Sequence, residues 1–464
     1  MDQFKRVYFV GIGGIGMSAL ARYFKFIGKE VAGYDKTPAS ITDKLTVEGI
    51  AVTFDDNPES IPSAFKKIES TLVIYTPAIP VEHRGLNYFR QNNFVLKKRS
   101  QVLGEITNNY KTIAIAGTHG KTSVSTAIAH ILNSSGKGCL AFLGGISKNY
   151  DTNLVLPRKL GDYNQFAVAE ADEFDRSFLQ LNPSIALITA MDADHLDIYG
   201  NKENVVESFN QFVKKIVPNG ILIYKKGLNL KPENLPKIAY TYSLNEKADF
   251  CATNQRIDEK GYYHFDLSTP KGIFRDIHSG VVGKVNAENA VAAASASLMT
   301  GVDENEIRNG LASFSGVLRR FDYQVKSSGV VYIDDYAHHP EELKAFISSV
   351  REIYKGKKIC GIFQPHLYSR TRDFAVEFAQ SLDLLDELIL LEIYPAREEP
   401  IPEVSSEIIF NRLKIKKKTL CTLENLIEKI ETTSFDVLLT MGAGNIDKKV
   451  ESIKKRLLKF EKMG

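Results

Sequence analysis

The run Ile115-Ala116-Gly117-Thr118-His119-Gly120-Lys121-Thr122-Ser123 closes an apolar, β-branched stretch and opens a helix-like one. A glycine turn at that junction exposes backbone N–H groups at a helix N-terminus, where they cradle phosphates. A lysine next in line reaches the β- and γ-phosphates, and the hydroxyl after it suits Mg2+. The usual phosphate loop has a further glycine, which would fall at position 115, where Ile115 stands. The chain therefore carries the shortened form G-T-x-G-K-T. Gly117, Thr118, His119, Gly120, Lys121, Thr122 and Ser123 are the candidate nucleotide contacts.

Downstream, the strand-like run 166–169 leads into Glu170-Ala171-Asp172-Glu173-Phe174-Asp175. The strand-like run 185–189 is followed by Asp192-Ala193-Asp194-His195-Leu196-Asp197. Ligands in open α/β sheets bind beyond the carboxyl ends of strands. A carboxylate there is placed for Mg2+ bridged to phosphates. Solvated acidic loops and a satisfied surface histidine are the plain alternatives. Two clusters ending neighbouring strands beside a phosphate loop favour a metal role for Glu170 and His195.

Upstream, the apolar run 7–10 leads into Gly11-Ile12-Gly13-Gly14-Ile15-Gly16, and Asp35 follows a second strand. The spacing fits G-x-G-x-x-G, whose glycines let a diphosphate approach a helix N-terminus while an acid accepts a ribose hydroxyl. NAD, a nucleotide-sugar diphosphate and an unliganded glycine turn all fit these residues. Gly11, Gly13, Gly14, Ile15, Gly16 and Asp35 are the candidates.

The last third carries Arg319-Arg320-Phe321, Asp334-Asp335-Tyr336-Ala337-His338-His339 and Gln364-Pro365-His366-Leu367-Tyr368-Ser369-Arg370. The latter two also follow strand-like runs, at 330–333 and 358–363. Adjacent histidines on a loop rarely face one ion, so binding or acid–base work suits His338 and His339 better than a metal. At least one of that pair is expected to be structural.

Further strands are predicted at 71–75, 112–116, 387–391 and 437–440, with helices at 15–27, 121–134, 202–216, 287–299, 340–354 and 371–381. The alternation predicts an α/β protein with parallel sheets covered on both faces. The stretch 249–268 differs and reads as a β-hairpin around Asp258–Gly261. Breaks near Asn108 and Gly316 predict three domains, at 1–108, 109–316 and 317–464. At 464 residues each has room for its own core. A net charge of +3 gives no electrostatic case for nucleic acid. No run approaches the ~18 apolar residues of a membrane span. Four scattered cysteines, without a C-x-x-C pair, suit a reducing compartment. A cytoplasmic protein is expected, monomeric or homodimeric.

In this order the motifs GIGGIGMS (11–18), GTHGKTS (117–123), EADEFDRSFL (170–179), DADHLDIY (192–199), NAENA (286–290), RRFD (319–322), DDYAHHP (334–340) and QPHLYSRT (364–371) resemble those of the Mur ligases of bacterial cell-wall synthesis. The resemblance spans essentially the whole chain. It is strongest to the branch that adds L-alanine to UDP-N-acetylmuramate with ATP and Mg2+. It implies a Rossmann-like N-terminal domain for the UDP-sugar, a central phosphate-loop domain for ATP, and a Rossmann-like C-terminal domain for the amino acid. By that resemblance Lys121 contacts the ATP phosphates, Thr122 and Glu170 hold one Mg2+, and His195 a second. Asn286 and Asn289 match nucleotide-side positions. Arg320 and Asp335 match positions that complete the nucleotide site, and Lys121, Glu170, His195 and Arg320 the catalytic ones. Tyr336, His338, His366 and Arg370 match the region receiving alanine. Val285 and Leu367 depart from the family's histidine and arginine. The related ligase that recycles a preformed tripeptide shares most of these motifs. Folylpolyglutamate synthase lacks the N-terminal glycine domain, an NAD-dependent dehydrogenase leaves the phosphate loop and acidic clusters unexplained, and a non-catalytic nucleotide switch needs no histidine-rich third domain.

Overall fold

In the computed structural model, which describes residues 1, 3–157, 159, 165–192, 199, 201–396 and 398–463, the strands gather into three sheets. The first contains β1 (Arg6–Val10), β2 (Glu30–Tyr34), β3 (Ala51–Thr53), β4 (Thr71–Tyr75) and β5 (Val95–Lys98). Its order is β3-β2-β1-β4-β5, and every pairing is parallel. The direction of winding reverses beside β1, so the crevice above its carboxyl end lies at the switch point where ligands bind.

The second sheet holds β6 (Lys111–Ala116), β7 (Cys139–Ser147), β8 (Thr152–Val155), β9 (Phe166–Ala171), β10 (Ile185–Ile188), β11 (Ile221–Lys225), β12 (Ile238–Ser243), β13 (Phe250–Ile257), β14 (Tyr263–Thr269) and β15 (Gly272–His278). The order is β15-β14-β13-β12-β11-β10-β6-β9-β7-β8. β6 sits between β10 and β9 and runs parallel to both. The first acidic cluster therefore ends one strand flanking the phosphate-loop strand, and Asp192 follows the other; residues 193–197 of the second cluster lie outside the described residues. Residues 113–116 are fully buried because both faces of the sheet are covered, which is why they read as a continuous apolar run.

The third sheet is made of β16 (Asp322–Lys326), β17 (Val331–Asp335), β18 (Ile359–Phe363), β19 (Glu387–Leu391), β20 (Lys418–Cys421) and β21 (Val437–Met441), in the order β16-β17-β21-β18-β19-β20. Only the edge strand β16 runs antiparallel. The α/β expectation holds in all three sheets. The expected hairpin is present, with its turn at Asp258–Gly261 and Gly261 at φ 89°. A third strand, β15, extends it.

Helix limits shift in places. The helix expected at 202–216 stops at Val213, and the one at 287–299 begins earlier, at Lys284. The segment 371–381 is two helices, Tyr368–Asp373 and Ala375–Leu382, separated by Phe374 at φ −118°. That backbone angle cannot continue a helix.

By packing the chain forms two compact units. One comprises residues 1–253, 266–277 and 289–315, and the other residues 254–265, 278–288 and 316–464. Within the first unit a single core runs from Phe9 and Phe24 of the first sheet's layer to Ala114, Phe142 and Phe178 of the second's. Polar ties cross the same seam. The Asn153 amide donates to Ile15 O (2.5 Å) and Ser18 Oγ (2.9 Å), and Lys44 pairs with Asp151 at 2.8 Å. Among the described residues no helix is long and apolar enough to cross a membrane.

Phe178 is fully buried, stacked on Phe212 at 5.0 Å between ring centres and edge-on to Phe209 at 5.5 Å. It follows the acidic run directly and anchors it. Phe178→Ala is expected to destabilise this unit by about 3–5 kcal/mol through loss of transfer energy and cavity formation. Urea unfolding followed on the first unit's transition measures it, and a change under about 1 kcal/mol would contradict the anchoring role.

Candidate active site

The turn after β1 is shaped by close approach. Gly11 has φ 92°, and a Cβ there would lie 2.7 Å from Thr76 Cγ2. Tyr34 O accepts the N–H groups of Gly11 (2.8 Å) and Ile12 (2.9 Å), tying the loop to β2. Gly14 precedes the helix Ile15–Phe26 without a side-chain cap, which leaves N–H groups at that end for a ligand. Asp35 lies at the end of β2, as expected, and its Oδ2 accepts the Gly13 N–H at 2.7 Å. It thus braces the glycine turn itself. Above Gly16 stands Arg99, whose Nη1 is 3.0 Å from where a Cβ would be, and whose Nη2 donates to Asp172 Oδ2 at 3.1 Å. Arg99 lies on no glycine motif, so nothing in the sequence singled it out. A guanidinium at a helix N-terminus is suited to diphosphate.

The second glycine turn follows β6. Gly117 has φ 134°, and a Cβ would sit 2.1 Å from Thr189 Oγ1. Gly120, at φ 83°, is the N-cap of the helix Lys121–Ser134, and its missing Cβ would lie 2.9 Å from Asn289 Oδ1. Asn289 therefore stands against the phosphate loop. Thr189 holds the turn through its hydroxyl, which donates to Ala116 O (3.2 Å) and to His119 O. Thr118 and Asp192 bond reciprocally, with Thr118 Oγ1 accepting the Asp192 N–H at 3.2 Å. His119 Nε2 lies 3.5 Å from Asp192 Oδ2.

Lys121 donates to Gly117 O (2.6 Å) and to both carboxylate oxygens of Glu173 (2.9 and 2.8 Å). Glu173 is 2% exposed. Burial alone would push the lysine pKa down. The negative charge of Glu173 first, then Asp172 and Glu170, outweighs it and holds Lys121 above the ordinary lysine value. Glu170 is fixed separately, at the end of β9. Its Oε1 accepts Gly144 N–H (2.6 Å) and Ser125 Oγ (3.2 Å), and its Oε2 lies 3.3 Å from Thr122 Oγ1. A Cβ on Gly144 would fall 2.3 Å from that carboxylate. A hydroxyl and a carboxylate side by side are hard oxygen donors, the set Mg2+ prefers. His195 lies outside the described residues.

In the second unit, Arg320, Tyr336, His338 and His366 come together. The Arg320 guanidinium lies 5.0 Å from the Tyr336 ring centre and 3.6 Å from Glu342 Oε1. Tyr336 and His338 rings are 5.3 Å apart, and His338 and His366 rings 5.9 Å. Glu342 links them, because its Oε2 accepts the N–H groups of His338 (3.0 Å) and His339 (3.3 Å) and lies 3.3 Å from His338 Nδ1. Glu342 belongs to none of the motifs. The signal was there in the capping-box spacing from His339 to Glu342. His339 is buried and caps the helix Pro340–Ile353, so it is the structural member of the pair. Arg319 is also a brace, donating to Asp334 Oδ2 (3.0 Å) and Gly442 O (2.7 Å). Arg370 and Leu367 are buried, so Leu367 sits in packing where the family's arginine was expected. Asn286 donates its amide to Val282 O at 2.9 Å.

Asp335 is 8% exposed, with Oδ2 accepting Phe321 N–H (2.7 Å) and Oδ1 accepting Ala337 N–H (2.8 Å). Burial pushes its pKa up to about 6 against the opposing pull of Arg320 and these N–H groups. Both oxygens are thus committed to the loops that carry Arg320 and His338.

A phosphate loop flanked by acidic strand ends, on one of three α/β sheets, defines a multidomain nucleotide-dependent enzyme. Three family descriptions cover the chain: "Mur ligase family, catalytic domain" over residues 6–111, "Mur ligase middle domain" over 115–297, and "Mur ligase, glutamate ligase domain" over 319–444. The chain belongs to the Mur ligase family and has its N-terminal, central and C-terminal domains. It is 53% identical to the UDP-N-acetylmuramate–L-alanine ligase of Parabacteroides distasonis over 98% of this chain and 97% of that protein. Identity to the enzyme of the same name from Phocaeicola vulgatus is 50%, over 98% of each chain. The crystal structure of the UDP-N-acetylmuramate–alanine ligase of Thermotoga maritima matches with a TM-score of 0.82 at 25% identity, covering 98% of this chain and 99% of that one.

Asp335 yields a pH prediction. Its folded pKa lies above the ordinary 3.8, so its protonated form favours folding. That contribution is full below the ordinary value and lost as pH rises through about 6. Relative to Asp335→Asn, which does not titrate, the wild type is expected to lose up to about 3 kcal/mol between about pH 4 and pH 7. Urea unfolding of both proteins across that range reads it, and a constant stability difference would contradict it.

Proposed function

We propose that this chain joins L-alanine to the lactyl carboxylate of UDP-N-acetylmuramate, using ATP and Mg2+, for peptidoglycan synthesis in the cytoplasm. The observation that carries the reading is full-length identity of about half to enzymes of that name, in a chain whose phosphate loop carries Lys121 and sets Thr122 against Glu170. We place the domain boundaries near residues 108 and 316. The UDP part would lie against Gly11, Gly13, Gly14, Ile15 and Gly16, with Asp35 bracing the turn and Arg99 available to the diphosphate.

A carboxylate is a poor electrophile, and two anions must meet for ATP to activate it. Transfer of the γ-phosphoryl group to a carboxylate oxygen gives an acyl phosphate and ADP. The neutral amine of alanine then attacks the carbonyl carbon, and the tetrahedral intermediate expels phosphate, which carries away that oxygen. The protein's work is positioning and charge neutralisation. Lys121, already charged and aimed along the loop, offsets the polyphosphate. Gly117–Ser123 cradle it, and Asn286 and Asn289 take the nucleoside side. Thr122 and Glu170 would hold Mg2+, with His195 holding a second ion, and bound metal would screen the γ-phosphate from the incoming carboxylate. Arg320 is the catalytic cation of the C-terminal domain, and Tyr336, His338, His366 and Arg370 receive alanine. His338 or His366 takes the ammonium proton, or it is lost before binding.

Two measurements test this. Lys121→Ala is expected to lower ATP-dependent phosphate release at least about a hundredfold while UDP-N-acetylmuramate still binds. Near-normal turnover would sink the role given to the lysine. Phosphate release with ATP, Mg2+ and UDP-N-acetylmuramate is expected to depend on L-alanine and to be far slower with the preformed tripeptide. The reverse preference would assign the chain to the recycling branch.

A further inference from the structure

We propose that Asp258, His264 and His278 form a zinc-class metal site that pins together one end of the β13–β14–β15 meander. None of the three residues belongs to the motifs assigned to the ligase chemistry. Each residue offers one ligand atom, and the three atoms lie within 4.8 Å of one another. Asp258 follows β13, His264 lies at the start of β14, and His278 ends β15. All three belong to the second compact unit.

The spacing suits an ion better than a hydrogen bond. His264 Nε2 lies 3.6 Å from Asp258 Oδ2, too far for a good hydrogen bond. Two ligands about 2.0–2.1 Å from one tetrahedral zinc ion are themselves about 3.3 Å apart. The frame around the ligands is built. Asp258 Oδ1 accepts the N–H groups of Lys260 and Tyr262, both at 2.9 Å, which turns Oδ2 towards His264. Burial opposes the Asp258 charge, but those N–H groups and His264 hold its carboxyl below the ordinary range, so the ligand stays ionised. The Tyr262 ring lies 4.7 Å from the His278 ring, and the two imidazoles meet edge to face at 4.9 Å. Ser279 N–H bonds Tyr263 O at 2.9 Å, closing β15 onto β14 beside the cluster.

Two imidazoles and one carboxylate select zinc, cobalt or nickel over Mg2+ or Ca2+, with water as the fourth ligand. A hydrogen bond of His278 changes on binding. Gly280 N–H donates to His278 Nδ1 at 3.0 Å, which puts the ring proton on Nε2. Ligation through Nε2 moves that proton to Nδ1 through solvent, so the ring stays neutral and no net proton is released. The Gly280 N–H lies in a half-exposed glycine turn, where water replaces the lost bond. Lys326, the nearby cation, is turned elsewhere: its Nζ donates to Lys260 O at 3.5 Å and sits 4.5 Å from the Tyr323 ring centre.

The test is zinc titration of the full-length chain against a chromogenic chelator, with millimolar Mg2+ present and Cys421→Ser as background to remove the one cysteine that is not buried. One equivalent of zinc is expected, bound at least tenfold more weakly in both His264→Ala and His278→Ala. Cobalt bound in its place is expected to show the strong visible bands of a four-coordinate site. His264→Gln and His278→Asn serve if an alanine variant fails to fold. Absence of stoichiometric zinc, or equal affinity in the parent and the histidine variants, would falsify the site. Since the readout is metal binding and not amide formation, it stands or falls apart from the ligase reading.

Discussion

A largely buried charged lysine is tolerated only if paired, and the pairing of Lys121 with Glu173 is the constraint around which the phosphate loop is arranged. Removing an ammonium and a carboxylate from water costs several kcal/mol each, and only good geometry offsets that. Here both carboxylate oxygens take part, and Gly117 O accepts from the same ammonium. The geometry depends on β9 running parallel beside β6, so that both strands end at the same level. It depends also on Gly120, whose positive φ starts the helix at Lys121. A Cβ there would strain the turn and press on Asn289.

Glu170 shows how the same sheet separates two carboxylates by task. It lies three residues before Glu173, on the strand itself, and Gly144 N–H with the Ser125 hydroxyl orients it. Glu173 keeps the lysine charged, and Glu170 is left facing the Thr122 hydroxyl. One acidic run thus supplies a buried counter-ion and an oriented oxygen ligand. The continuous core between the first two layers of this unit adds a further consequence. Arg99, entering from β5, reaches both the first glycine turn and Asp172 of the acidic run. The two glycine turns therefore belong to one continuously packed unit.

Where a backbone angle or a close approach forces the residue type, the sequence was legible. Gly11, Gly117 and Gly120 are at positive φ, and the strands leading into them are buried apolar runs. The place of the first acidic cluster beyond a strand end was legible, because period and position suffice for that. Which acid pairs with Lys121 was not, since it depends on how far the loop after β9 folds back. Gly144 was illegible for a related reason: it acts through its N–H and its lack of a Cβ, and lies on a strand with no motif. Short edge strands such as β3 and β20 bury too few residues to show a pattern. The split at Phe374 was hidden because the flanking residues are all acceptable in helices. Asp258, His264 and His278 come from three strand ends and form no spacing that a linear reading can detect.

The second unit uses burial differently. Asp335 is forced into a site that raises its pKa, and its two oxygens are spent on the N–H groups of Phe321 and Ala337. Phe321 and Arg319 both hold positive φ, a conformation that costs non-glycine residues energy unless the surroundings impose it. The surroundings are identifiable: Asp335 grips Phe321, and Asp334 with Gly442 O grips Arg319. Arg320, between them, has no freedom to move its backbone independently. Its guanidinium rests on Tyr336 and beside Glu342, which also fixes the backbone of His338. An arginine and a histidine from separate loops are thereby presented as a single preorganised body. Such preorganisation requires a buried carboxylate that is expensive to ionise, because a solvated one would bind water and leave both loops free.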